Sequence, residues 1–119
     1  LETYAPSAWV SSEDFRYDTA IIRLGENIGD VSGYMNLDWQ AASYHGTVYF
    51  AGYPGTDGYD GEWLYQNSTQ INSSLSTQNN ICHSANLIEG QSGGPTWILK
   101  NSAPYLVGAN SFGFQQAAR

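Results

Sequence analysis

The 119-residue sequence predicts an all-β chain, a sandwich or barrel of short strands, and three observations carry that prediction. First, nine Tyr, four Trp and many Ser and Thr favour the pleated, half-buried surfaces of sheets. Second, helical periodicity is weak from end to end. Third, short β-like runs recur between Gly-, Pro-, Asn- and Asp-rich turns at the spacing of sandwich and barrel strands.

Taken in order, Thr19 to Leu24 (TAIIRL) is a compact apolar run, and Gly25 to Asp38 reads as a connector rich in Gly, Asn and Asp. Thr47 to Tyr53 (TVYFAGY) is the best strand, stopped by the turn dipeptide Pro54-Gly55. A strand is expected within Glu62 to Ile71, entered from the Gly- and Asp-rich loop at residues 55–61. Ile81 to Ser84 is short and ambiguous. Pro95 to Leu99 and Tyr105 to Phe112 read as strands flanking a loop at Lys100 to Ala103. The four tryptophans (Trp9, Trp39, Trp63 and Trp97) are expected in the core rather than in a stacking platform for carbohydrate.

Composition narrows function as well as fold. Four Lys and Arg against eleven Asp and Glu leave a formal charge of -7, so phosphate backbones and anionic membrane surfaces are repelled. No apolar run approaches the roughly 18–20 residues of a membrane helix, and no signal peptide is visible. Both ends read as cuts in a longer product. Two His and one Cys form no metal-ligand spacing, and no cofactor is called for. The lone Cys82 is expected to be a small buried thiol, with a disulfide to another segment as the alternative. The sequons at Asn67 and Asn72 decide nothing in a chain so rich in Ser and Asn.

Residues 90–95 read Gly-Gln-Ser-Gly-Gly-Pro. Glycines on both sides of a serine allow a tight turn with the hydroxyl at its apex. Such a turn can aim two N–H groups at one spot beside that hydroxyl, as an oxyanion hole requires. From residue frequencies the pattern arises by chance in on the order of one chain in a thousand.

That hexapeptide resembles the nucleophile loop of the trypsin-like serine proteases. Three further segments resemble the same family, in its chain order. Asp18-Thr19-Ala20-Ile21-Ile22-Arg23-Leu24 is similar to the segment carrying the triad aspartate. Gly52-Tyr53-Pro54-Gly55, with Trp63 following, resembles the bacterial glutamyl-endopeptidase branch. Val107 to Gly113 (VGANSFG) is similar to the strand lining the substrate cleft.

The resemblance implies a trypsin-like double β-barrel. Residues 1–29 would end the first barrel and carry Asp18, residues 30–43 would connect the barrels, and residues 44–119 would form most of the second. It implies a secreted serine endopeptidase acting on proteins or peptides. Ser92 would be the nucleophile, Gly90 and Ser92 the oxyanion donors, and Asp18 the group orienting the catalytic histidine. Asn86, Leu87, Ile88, Glu89, Asn110, Ser111, Phe112 and Gly113 would form the substrate pocket, with Ser111 contacting the substrate backbone.

Three departures accompany the resemblance. Gln91 stands where animal trypsins have the Asp that receives a new amino terminus, so that activation switch is not expected. Asn110 stands where glutamate-specific members have His, and a neutral amide offers no positive charge to an acidic side chain. The third is the base. The family order is His, Asp, Ser, yet none of the 17 residues before Asp18 is His. His45 reads as a surface or turn residue and His83 as pocket lining or packing. A complete domain of this type runs roughly 200–250 residues, so the histidine is expected from another segment or a second polypeptide. The competing functional reading is a catalytically dead protease fold used for binding or regulation. The intact Asp18, Ser92 and Gly-rich loop weigh against it.

Overall fold

A computed structural model of the chain describes residues 1–38 and 44–112. Its strands fall into two sheets. A two-stranded antiparallel ribbon pairs β1 (Glu2–Tyr4) with β2 (Ile21–Arg23). Between them lie a short helix, α1 (Ser7–Ser12), and a 3₁₀ turn (Phe15–Tyr17). Asp14 caps that turn, accepting the Arg16 N–H at 3.1 Å and gripping the Arg16 guanidinium with both carboxylate oxygens. The segment read as a connector contains one helical turn, α2 (Gly29–Ser32), and a short strand, β3 (Asn36–Leu37).

The larger sheet runs β3–β7–β6–β4–β5, with β4 at Thr47–Gly52, β5 at Tyr65–Gln70, β6 at Pro95–Lys100 and β7 at Ala103–Ala109. All its pairs are antiparallel except β3 on β7. The architecture is therefore all-β, and the described strands do not close into a complete barrel.

Its core is built where β4 crosses the sheet. Val48 and Phe50 are fully buried, and Val48 packs with Tyr44 and Ile71 against Ile81, Ile98 and Val107. Across β4 and β6, Tyr49 and Trp97 are direct partners and stack at 5.8 Å, a cross-strand aromatic pair of the kind that pins register. Of the other tryptophans, Trp9 is half-buried against Phe15 and Trp39 lies outside the described residues. Trp63 is not in the core as expected: it is 67% exposed. The strand expected from Glu62 begins only at Tyr65, so Trp63 and Leu64 sit in the approach loop without a strand opposite them. Ile81 to Ser84 supplies a single bridge, Ile71 to His83. Cys82 is a half-buried free thiol whose Sγ donates to the Leu75 carbonyl at 3.2 Å.

Two details of the β6–β7 hairpin position the site. The register slips between Thr96 and Trp97, so that Thr96 faces Gly108 while Trp97 faces Leu106. Such a bulge bends the strand and re-aims the residues beside it, here Asn110 and Ser111 at the end of β7. The loop expected at Lys100 to Ala103 is a two-residue turn in which Asn101 (φ 49°) and Ser102 (φ 64°) both have left-handed backbone. That is the conformation whose twist matches a hairpin, and glycine adopts it without cost. Ser102→Gly is expected to stabilise the protein by about 1 kcal/mol, measured as a rise in the denaturant midpoint at unchanged slope. Beside the turn, Lys100 pairs with Asp38 and lies over the rings of Tyr44 and Tyr105, tying the end of β3 to the hairpin.

Candidate active site

The turn preceding β6 is braced from three directions. Gln91 is 6% exposed, and its Oε1 accepts the Ile88 N–H at 2.8 Å while its own N–H donates to the Ile88 carbonyl at 3.0 Å. The Glu89 carbonyl accepts the Gly55 N–H at 2.8 Å, joining the turn to the Pro54-Gly55 corner after β4. The Gln91 carbonyl accepts the Gly94 N–H at 3.1 Å. Glycine is required at two of these positions. Gly90 has φ +97°, and a Cβ there would collide with the Tyr53 carbonyl; a Cβ on Gly94 would collide with that of Ala51.

At the apex Ser92 is exposed, and its hydroxyl makes no hydrogen bond among the described residues. The N–H groups around it divide into two sets. Those of Gln91, Gly93 and Gly94 donate to protein carbonyls, whereas those of Gly90 and Ser92 donate to nothing among the described residues.

Asn110 joins this turn to the rest of the site. Its backbone N–H donates to the Gly94 carbonyl at 2.8 Å and its carbonyl accepts the Gly93 N–H at 2.7 Å. Its side chain is 5% exposed. Oδ1 accepts the Thr96 hydroxyl at 2.7 Å, and Nδ2 donates to the carbonyls of Ala51 and Gln91 at 3.1 and 3.0 Å. The next residue, Ser111, donates its hydroxyl to Oδ2 of Asp18. Ser92 and Asp18 are thus linked through the hydrogen-bonded pair Gly93–Asn110: Ser92 neighbours Gly93 in sequence, Ser111 neighbours Asn110, and Ser111 holds Asp18.

A cleft of about 500 Å³ opens beside them, with Asp18, Asn86, Leu87, Asn110, Ser111 and Phe112 in its wall. Phe112 packs on Phe15 at 4.7 Å, closing the wall between the two parts of the chain. Ile88 and Glu89, expected with Asn86 and Leu87 in the pocket, lie at the base of the Gly90–Pro95 turn. Neither they nor Gly90 and Ser92 line the cleft, and Gly113 lies outside the described residues. The guanidinium of Arg16, which also borders the cleft, is neutralised by Asp14. That pairing holds the Asp14 carboxyl below its ordinary pKa.

Neither histidine touches Asp18 or Ser92 among the described residues. His45 is exposed. His83 lines the cleft with its ring stacked on Phe50 at 5.3 Å and its Nδ1 buried without a partner. Burial lowers its pKa from the ordinary 6.5. The unfolded chain therefore takes up this proton more readily than the fold does. The contribution is complete above pH 6.5 and is lost as pH falls through the lower folded value. Thermal melts between about pH 8 and pH 5 should show stability falling with pH, and His83→Phe should flatten that slope.

Sequence reasoning misses the braces Gln91 and Asn110, because both are measured there against the ionic groups they replace. The signal available is their position: polar residues flanking an apolar strand, in a chain whose buried polar atoms must be satisfied.

No protein-family model matches the chain. A glutamyl endopeptidase of Bacillus licheniformis is 30% identical over 100 residues, covering 83% of this chain and 30% of that protein. The crystal structure of the protease Anisep from Arthrobacter nicotinovorans has a TM-score of 0.67 at 25% identity, over 96% of this chain and 54% of that one. The chain thus spans about 30% of the curated relative and about half of the solved structure.

Proposed function

Because the chain belongs to the trypsin-like serine proteases, of which it spans a carboxyl-terminal part, we propose that it supplies the nucleophile and the orienting carboxylate of a secreted serine endopeptidase. The observation that carries this is the pair of N–H groups, on Gly90 and Ser92, left without acceptors among the described residues beside an exposed serine hydroxyl. A histidine from another segment or chain takes the Ser92 Oγ proton as Oγ bonds to the substrate carbonyl carbon. The resulting oxyanion lies against the Gly90 and Ser92 N–H groups. The peptide C–N bond then breaks, the amine leaves with the proton, and water releases the acyl group. Asp18 holds the imidazole and stabilises its cationic form, while Ser111 holds Asp18 and contacts the substrate backbone.

Asn86, Leu87, Asn110 and Phe112 form the pocket walls, with Ile88 and Glu89 behind them in the turn. A preference for glutamate is not carried over from the relative, since Asn110 is neutral and its polar atoms are all bonded to protein. Residues 1–29 belong to the first barrel, 30–43 connect, and 44–119 build the second. Support for a further segment comes from β2, whose Ile21 and Ile22 are 69% and 59% exposed. A two-stranded ribbon with an uncovered apolar surface is marginal by itself and fits burial against more β structure, which would bring the histidine.

The test is covalent labelling. The protein in its native assembly, treated with a fluorophosphonate, should gain one adduct mapped to Ser92, and native mass spectrometry should show what accompanies the chain. Absence of an adduct with a histidine-bearing segment present would identify a silent scaffold used for binding.

A further inference from the structure

The two unbonded N–H groups are aimed by contacts outside the nucleophile turn, and one of those contacts is a side chain. In a trans peptide the C=O and the adjoining N–H point in opposite directions. The Glu89 carbonyl is held by the Gly55 N–H, so the Gly90 N–H on the same plane faces away from the Pro54-Gly55 corner. The Gln91 carbonyl is held by Asn110 Nδ2 and the Gly94 N–H, so the Ser92 N–H faces away from the sheet. The Gly94 bond closes a local turn and moves with it. Asn110 differs: its Nδ2 is shared with the Ala51 carbonyl on β4 and its Oδ1 is fixed by Thr96 on β6, so it ties the Gln91–Ser92 plane to two strands of the sheet.

We propose that Asn110 is a positioning residue for the oxyanion hole: its amide holds the Gln91 carbonyl inward and so presents the Ser92 N–H to the substrate. This role rests on the endopeptidase function proposed for the site. Without the amide donor, the Gln91–Ser92 plane can rotate toward an arrangement in which the N–H turns inward and the donor is lost. An oxyanion donor acts on developing charge and little on the ground state, so its loss falls on kcat and not on KM. A residue that merely stabilised the fold would lower the melting temperature and leave kcat per folded molecule alone.

The experiment compares Asn110→Ala and Asn110→Asp with Val48→Ala in the native assembly, using a peptide amide substrate and thermal melts. Asn110→Asp keeps the acceptor for Thr96 but places a carboxylate beside two carbonyl oxygens. Val48→Ala removes buried core volume behind the cleft without altering any hydrogen bond of the turn or of Asn110. Both Asn110 variants are expected to lose roughly 10²–10³ in kcat, over and above any change in KM from their place in the cleft wall. Val48→Ala should melt lower with kcat near wild type. Wild-type kcat in a cooperatively melting Asn110 variant would overturn the proposal, as would an equal loss of kcat in Val48→Ala. Should neither Asn110 variant fold, the wild-type protein decides the matter. Its Ser92 amide proton should shift downfield when a peptide boronic acid forms a tetrahedral adduct, and an unmoved resonance in the adduct would overturn the proposal. Wild-type protein that takes neither fluorophosphonate nor boronic acid would remove the endopeptidase function itself. Labelling with unaffected Asn110 variants would remove only the role given to Asn110.

Discussion

Ser92→Ala is expected to lower kcat for peptide hydrolysis by about 10⁶-fold, close to the loss from removing a whole catalytic triad. It should do so without weakening the fold. The hydroxyl is exposed and makes no bond among the described residues, so truncation leaves no polar group stranded. The turn keeps its shape through Gln91, Gly94 and Asn110, whose bonds to the sheet and to one another do not involve the Ser92 side chain. Progress curves at high enzyme concentration measure the first quantity and a calorimetric melt the second. Turnover within tenfold of wild type, or a variant that fails to fold, would contradict the placement of the nucleophile at an unburdened apex.

Asp18→Asn is expected to be the next most damaging change, at about 10⁴-fold in kcat. In the proposed mechanism the carboxylate fixes the tautomer of the imidazole and stabilises its cation. An amide of the same shape provides neither and, turned one way, presents an N–H where an acceptor is wanted. Its effect should far exceed that of Ser111→Ala. That variant leaves the carboxylate in place and removes one hydrogen bond to a charged group, worth about 1.5–3 kcal/mol. The ratio of the two losses, measured as kcat/KM on one substrate, separates what the charge does from what its orientation does. Equal losses would mean that the Ser111 hydroxyl, and not only its backbone, acts directly on the substrate.

How far this site is legible in the sequence depends on the physical range of each signal. The nucleophile turn is readable because it is local: glycines at positions 90 and 94 are demanded by backbone approaches, so chemistry and sterics act on the same six residues. β4, β6 and β7 are readable because each carries a compact run of β-branched, aromatic and aliphatic residues bounded by turn residues. The ends of elements are not. β5 starts at Tyr65 because its register against β4 runs from Gly52↔Tyr65 to Thr47↔Gln70, and nothing in residues 62–64 announces where the partner stops. Residue type alone puts Trp63 in the core, and pairing leaves it outside. β3 is hidden inside a connector because two residues beside Tyr105 and Leu106 carry no periodicity. Gln91 and Asn110 read as absences of charge, when their amides do what a charged group could not: donate to and accept from carbonyls, hydroxyls and N–H groups without desolvating an ion.

The bond between Ser111 and Asp18 joins residues 93 positions apart, while the β6–β7 hairpin closes through two residues. Loop-closure entropy grows with separation, and local contacts form first when both are available. Folding should therefore nucleate on the Asn101–Ser102 hairpin, and the carboxylate should dock only after the sheet has condensed. In the proposed endopeptidase, a chain caught before that last step would have a finished nucleophile turn but no carboxylate to orient its base, and so would be a far weaker hydrolase during its own assembly.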